Sequence, residues 1–346
     1  MLADQLDYVV GVDPHRDSHA LAVVHVVTGA VVFEETVVAS GDGYANALKL
    51  VDRHAPGRRA FAVEGTASFG AGLTRFLTGR GEQVLEVGRL RRERRSGGKT
   101  DALDAVRAAR SVLTRERPRT PRAGGERQAL QALVAAREGA VNAKRAGLCQ
   151  LRDLLITTPE PRRSELRPLT RARLLQRLAA TRPGGGRDPE LRGSMLALRS
   201  IARRVLQLTA EERELACEIE TITRKLAPQL LDQPGVGPHA AAQLVLSWSH
   251  QGRITSEATF ARLAAPIPAS SGQTIRYRLD RSGDRKLNRA LHMILVTRKR
   301  SHPATIAYIE RRIQEGKTRR KATRSLKRHL ARKLYRLLEH GPPLAT

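Results

Sequence analysis

The sequence predicts an α/β domain followed by a largely all-α remainder, and three observations lead there. Short β-branched runs alternate with helical stretches up to about residue 110. From about residue 126 onward, Ala, Leu, Arg and Glu recur at helical spacing over spans too long for strands. Aromatic residues make up 3% of a chain that is 40% hydrophobic, so the core must be Leu, Val, Ile and Ala, a composition that favours helices. The 346 residues suffice for two or three modest domains. We place the divisions at 1–125, 126–227 and 228–346.

In the first segment, Tyr8 to Asp13 is an apolar β-branched run that ends on an acid. Ala20 to Val27 and Ala30 to Val38 follow as strands, with the Thr28-Gly29 turn between them, and the three form an antiparallel meander. Tyr44 to His54 reads as a helix, and Arg59 to Glu64 as a fourth strand that again ends on an acid. A helix over about Gly70 to Arg80, a strand over Gln83 to Val87 and a helix over Thr100 to Arg110 complete a mixed sheet with helices on its faces.

The middle segment carries two long helices, Gln128 to Leu155 and Met195 to Leu226. A Pro- and Gly-containing connector, Thr157 to Pro189, separates them and holds a shorter helix. The pair is expected as an antiparallel hairpin or a dimerising coiled coil. The last segment opens on Gln233-Pro234-Gly235-Val236-Gly237-Pro238 and an apolar helix. It then places Ser270-Ser271-Gly272 in a loop behind Pro266 and Pro268, and ends in a basic helical stretch, Ile309 to Leu338.

Charge narrows the function. Lys and Arg number 62 against 34 Asp and Glu, a net charge of +28. Such an excess calls for a polyanion, and nucleic acid is the natural partner. So few aromatics argue against a single-strand binder that works by stacking bases. Cys149 and Cys217 lie far apart without CxxC spacing, which excludes a disulfide framework and a zinc site. No run has the length of a membrane span and no signal peptide is visible, so a prokaryotic cytoplasmic, nucleoid-associated location is expected, with no membrane partner.

Two features carry chemistry. Asp13 and Glu64 end strands, and Asp101 and Asp104 sit at i and i+3 on one helix face. Together these acids would repel one another without a counter-cation, and hard oxygen ligands suit Mg²⁺ or Mn²⁺. Two such ions can clamp the oxygens of a phosphodiester. Taken singly, each acid is better explained as a strand-end turn or cap, a solvated helix face or a helix start favoured by the helix dipole; their combination, in this order on so basic a chain, favours the metal site. The second feature is Ser270-Ser271-Gly272 with Arg276, Arg278, Arg281 and Arg285 behind it. A serine hydroxyl can attack a phosphodiester whose charge is neutralised, and guanidinium forks suit that task. Flexible loops also use this tripeptide, and the arginines fit plain phosphate contact.

Further nucleic-acid contacts are expected from Arg91, Arg92, Arg94, Arg95 and Lys99, which precede the D-x-x-D helix. The alternative for these is a solvated charge run. The Gly235-Val236-Gly237 turn resembles a helix–hairpin–helix turn whose backbone amides hold a phosphate. A tight turn without ligand fits it equally well.

Asp13 within VGVDPHRDSHALAVV, Glu64 within FAVEGTASFG and Asp101/Asp104 within KTDALDAVRAAR resemble the DEDD domain of IS110-type transposases. The run LLDQPGVGPHAAAQLVLSW, with FARLAAPIPASSGQTIRYRLDRSGDRKLNRALH after it, resembles their C-terminal transposase domain. The resemblance covers most of the chain, in the family's order. The middle helices match only in character, and Ala264-Ala265 stands where the family has Gly-Leu before the proline. It implies an RNase H-like (RuvC-like) N-terminal domain that binds divalent metal through Asp13, Glu64, Asp101 and Asp104. It implies a serine nucleophile, best matched by Ser271 with Ser270 as the alternative. It also implies DNA cutting and rejoining guided by a structured RNA from the same element. A homo-oligomer, dimer or tetramer, is expected. The competing expectations are a RuvC-like junction endonuclease that needs no serine and a non-catalytic basic binder.

Overall fold

The computed structural model describes residues 2–88, 101–116, 118–182, 188–264, 267–271, 274–278 and 283–341. It divides into two compact units, Met1–Gly124 and Gly125–Thr346.

The first unit contains β1 (Tyr8–Pro14), β2 (Ser18–His25), β3 (Val31–Val38), α1 (Gly41–His54), β4 (Arg59–Glu64), α2 (Ala71–Thr78), β5 (Val84–Val87) and α3 (Asp101–Leu113). The five strands form one mixed sheet in the order β3-β2-β1-β4-β5. The first three are antiparallel, while β1, β4 and β5 run parallel. The meander is pinned by local turn chemistry: the His15 amide donates to the Ser18 carbonyl at 2.8 Å, and Gly29 takes φ +69° between β2 and β3. The parallel strands need crossovers, which α1 and α2 supply.

Strand alternation separates two cores. Val10, Val12, Phe61 and Val63 pack with Val51, Leu73 and Leu77 of α1 and α2. Val9, Ala60 and Ala62 pack on the opposite face with Ala105, Ala108, Ala109 and Val112 of α3. The α3 face is built from small residues, so helix and sheet come very close. At Gly11, in the middle of β1, a Cβ would overlap the Ala105 carbonyl oxygen. Glycine is required there for the approach of α3. The opposite face is bulky; truncating Phe61, 1% exposed, to Ala would cost about 3–5 kcal/mol.

The second unit begins with α4 (Gly125–Thr157), α5 (Arg162–Leu166), α6 (Arg171–Ala180) and α7 (Pro189–Leu226). The α4 and α7 helices run antiparallel: Lys225 pairs with Glu126, Arg137 and Lys144 with Glu212, and Arg204 with Gln150. Leu151, Leu166, Leu178, Met195 and Leu198 form a core where α5 and α6 cover the far end of the pair. The α7 helix starts earlier than the apolar pattern predicts, because Asp188 caps it by accepting from the Glu190 and Leu191 amides and Pro189 occupies its first turn.

Next come α8 (Pro228–Leu231), α9 (Pro238–Trp248), α10 (Glu257–Ala264), β6 (Ile267–Ser271), β7 (Thr274–Arg278), α11 (Arg285–Ser301), α12 (Pro303–Gln314) and α13 (Arg319–Glu339). One core joins them to the near ends of α4 and α7 through Leu130, Ile219, Leu244, Phe260, Leu291 and Leu334. One expectation is corrected. Ser270 and Ser271 do not sit in a loop: Ile267–Ser271 pairs antiparallel with Thr274–Arg278, whose Thr, Ile and Tyr favour a strand. The basic stretch 309–338 is helical as expected, divided between α12 and α13 at Gly316, φ +80°, where Thr318 caps the restart by accepting from the Lys321 amide. No helix among the described residues is long and apolar enough to cross a membrane.

Candidate metal and nucleic-acid sites

β1 carries Asp13 one residue before its end, on the face that Val9 and Gly11 turn toward α3. The seating of α3 against Gly11 brings the first turn of that helix to the same strand end. Asp101 is its first residue, and Asp104 lies three further on, with Ala105 and Ala108 of the buried stripe. The structure brings Asp13 and Asp101 together around a residue that motif reasoning overlooked, His15. Its Nε2 lies 3.2 Å from Asp101 Oδ1 and its Nδ1 4.0 Å from Asp13 Oδ2. One ligand atom from each of the three lies within 4.8 Å of the other two. Ligands at about 2.1 Å on opposite sides of an ion are separated by about 4.2 Å, so small side-chain rotations fit this set to one cation. Asp13 is 14% exposed and Asp101 55%, so the set grades from the protein interior to solvent. A signal for His15 was present: positions 13 and 15 are two apart at a strand end and share a face.

Glu64 and Asp104 are outside that three-residue group. Glu64 ends β4, one step past the Val12–Val63 pairing with β1. Strand alternation gives it the face of Ala60 and Ala62, which is the face of α3. Asp104 is paired with Arg107 at 3.3 Å. The close set is therefore Asp13, His15 and Asp101, with Glu64 at the end of the neighbouring strand and Asp104 three residues into α3.

In the second unit, Ser271 ends β6 opposite Thr274, and Arg276 and Arg278 stand opposite Ala269 and Ile267. By register, positions 271, 276 and 278 share one face of the ribbon, while 270 falls on the other with 275 and 277. Arg285 opens α11, whose cap is Asp284. Asp284 is anchored from below, since Ser247 of α9 donates its hydroxyl to it at 2.7 Å. Gly235 and Gly237 form the turn before α9, Gly235 at φ +74° and Gly237 as N-cap without a side-chain bond. Arg91, Arg92, Arg94, Arg95, Lys99 and Arg281 lie outside the described residues.

Comparison with known proteins matches this arrangement to one family. A model of transposases, DEDD_Tnp_IS110, matches residues 10–159. A second, described as transposase of the IS116/IS110/IS902 family, matches residues 227–310. A protein of Streptomyces coelicolor, described as an insertion element IS110 uncharacterized 43.6 kDa protein, is 31% identical over 150 residues. That match spans 41% of this chain and 36% of the relative, so it covers little more than a third of the relative's length. A DEDD domain of this kind implies a divalent metal, and the donor set of Asp13, His15 and Asp101 can accept one. With both family domains present in order along one chain, this protein belongs to the IS110 family of transposases.

Proposed function

We propose that the chain is a DNA transposase that cuts and rejoins strands through a divalent-metal carboxylate site and a serine nucleophile. The observation that carries the reading is the meeting of Asp13, His15 and Asp101 where β1 ends and α3 begins. In this reading the first unit is RNase H-like (RuvC-like), in keeping with its meander-then-parallel strand order. Asp13, Asp101 and His15 hold Mg²⁺ or Mn²⁺, with Glu64 and Asp104 beside them. A divalent cation there supplies charge neutralisation and Lewis acidity at phosphodiester oxygens.

Ser271 is the nucleophile in this reading, favoured over Ser270 by the ribbon register it shares with Arg276 and Arg278. Its hydroxyl oxygen bonds to phosphorus, the bond to the leaving strand's oxygen breaks, and that strand departs as an alcohol carrying the proton. One phosphoester replaces another, so rejoining needs no external energy source. Arg276, Arg278, Arg281 and Arg285 serve the charge of the phosphate oxygens. The basic cluster Arg91, Arg92, Arg94, Arg95 and Lys99 guides the backbone. Target choice is delegated to a structured RNA, and the working form is a dimer or tetramer. The span 126–227 acts as a helical, coiled-coil-like arm, and 228–346 as the serine-bearing domain.

The test is to react the full chain with its element's DNA and RNA in Mg²⁺, denature, and map any covalent protein–DNA adduct by mass spectrometry. The adduct is expected on Ser271, lost in Ser271→Ala and Asp13→Asn, and retained in Ser270→Ala. Electron paramagnetic resonance should show weakened Mn²⁺ binding in Asp13→Asn and His15→Ala. Normal cleavage by Ser271→Ala without an adduct would replace this reading with a hydrolytic junction endonuclease. DNA binding without cleavage under any condition would leave a basic binder.

A further inference from the structure

Arg298 is one of two buried arginines among the described residues. It occupies the apolar stripe of α11, after Leu287, Leu291, Ile294 and Leu295, and is only 7% exposed. No carboxylate among the described residues pairs with it. Its Nε donates to the Pro234 carbonyl at 2.6 Å, and its Nη2 is buried without a hydrogen-bond partner. A guanidinium removed from water without a counter-charge is costly, and this one lies directly beneath the turn that starts α9.

That turn is open at its surface. Pro234, Gly235, Gly237 and Thr297 line a shallow depression there, with Leu231, Gln233, Val236 and the exposed carboxylate of Asp232 at its edge. Val236 closes the turn by donating to Gln233 at 3.0 Å, and Ala241 donates to Gly237 at 3.0 Å. The amides of Gly235, Gly237, His239 and Ala240 enter no hydrogen bond among the described residues, and no side chain caps the helix. Gly235 lies flat on α11: a Cβ there would sit 3.1 Å from both Arg298 Cγ and the Ile294 carbonyl oxygen. Unpaired amides, a helix start and an uncompensated positive charge thus coincide at one exposed spot.

We propose that the Pro234–Gly237 turn binds a backbone phosphate of duplex DNA, and that Arg298 is the positioning residue that charges and holds it from below. Arg298 fixes the turn through Pro234 and finds, in the bound phosphate, the anion its own surroundings lack. The inference rests on the reading of DNA as substrate but not on the metal or the serine, so it is tested in EDTA.

The experiment is fluorescence anisotropy of the full chain with a labelled duplex, across a salt series. Loss of one phosphate contact should lower the slope of log K against log salt by about 0.9 and weaken binding by about tenfold at moderate salt. Arg298→Gln should show this loss, and Arg298→Lys should recover much of the slope. Thr297→Glu places an anion on the exposed rim without touching the buried side chain. It should weaken binding at least as much while its thermal melt matches wild type, so the test survives if Arg298→Gln fails to fold. Wild-type slope and affinity in Thr297→Glu would overturn the inference. So would an effect of these variants confined to a labelled RNA hairpin. Failure of the unaltered chain to bind duplex DNA at all would overturn the substrate reading as well, and so separates the two.

Discussion

Replacing Gly11 with Ala should damage the first unit and its metal site by one mechanism. The added methyl would overlap the Ala105 carbonyl oxygen and lie 2.8 Å from both the Ala105 carbonyl carbon and the Ala109 amide nitrogen. Ordinary contact needs about 3.5 Å, so the carbon and nitrogen alone demand a retreat of α3 by about 0.7 Å, and the nearer carbonyl oxygen demands more. All three obstacles are backbone atoms, and no side-chain rotation relieves them. The cost should fall at the upper end of the overpacking range, about 3 kcal/mol. For a unit of this size that is a fall in melting temperature of about 12 °C. The same retreat carries Asp101 away from His15, now 3.2 Å apart, so Mn²⁺ affinity should fall in parallel. Hydrogen exchange of the full chain is the assay, read at peptides of β1, β4 and α3, with Mn²⁺ titration alongside. The single tryptophan, Trp248, is buried in the second unit, and its fluorescence transition should not move. Wild-type exchange protection and Mn²⁺ affinity in Gly11→Ala would refute the close seating of α3 and the site geometry derived from it.

Two further outcomes follow from named groups. His19 is fully buried, its Nδ1 2.8 Å from the Ser18 carbonyl and its ring stacked on Tyr44; burial holds its pKa below the usual imidazole value. A lowered folded pKa means that protons favour the unfolded chain. The stability of the first unit should therefore be full above about pH 6.5 and decline as the pH falls below it. His19→Gln should flatten that decline in denaturant melts at about pH 7.5 and about pH 5.5. In the second unit, the hydrogen bond from Lys144 holds the Glu212 carboxyl below its ordinary range. This stabilisation is present at neutral pH and lost as the pH falls below about 4. Glu212→Gln should lower the stability of the α4–α7 pair by about 1 kcal/mol at pH 7, read as earlier hydrogen exchange in both helices.

The central strands of the first unit were legible because burial on both faces makes them continuous β-branched, apolar runs, and the acids at 13 and 64 stand out as polar ends of those runs. The D-x-x-D spacing likewise announced one helix face. His15 was harder to see, because it follows Pro14 and reads as turn chemistry until α3 is placed over it. The seat of α3 depends on Gly11, and a glycine inside a strand says that something approaches closely without saying what. The β6–β7 ribbon escaped because Pro268 and two serines lie within β6, and only pairing with Thr274–Arg278 makes an extended conformation worthwhile. Arg298 was legible in principle as a cation at an apolar-stripe position, yet in a chain with 62 basic residues one more arginine carries no signal until its burial is known.

The paired helices α4 and α7 have apolar cores at each extremity and a charged waist between them. Leu130, Val134, Ile219 and Leu226 close one extremity, Leu151, Leu178, Leu198 and Val205 the other. At the waist stand Arg137, Lys144 and Glu212, and Ala140 and Gly147 keep the helices near each other. At 1.5 Å per residue, the 33 residues of α4 reach about 50 Å. The waist is thus a natural splice point in evolution: matched turns can be inserted into or removed from both helices there, changing the span without repacking either apolar cluster. Descendants of one ancestral gene could adjust how far the distal cluster stands from the core shared with α9–α13 while leaving both clusters intact.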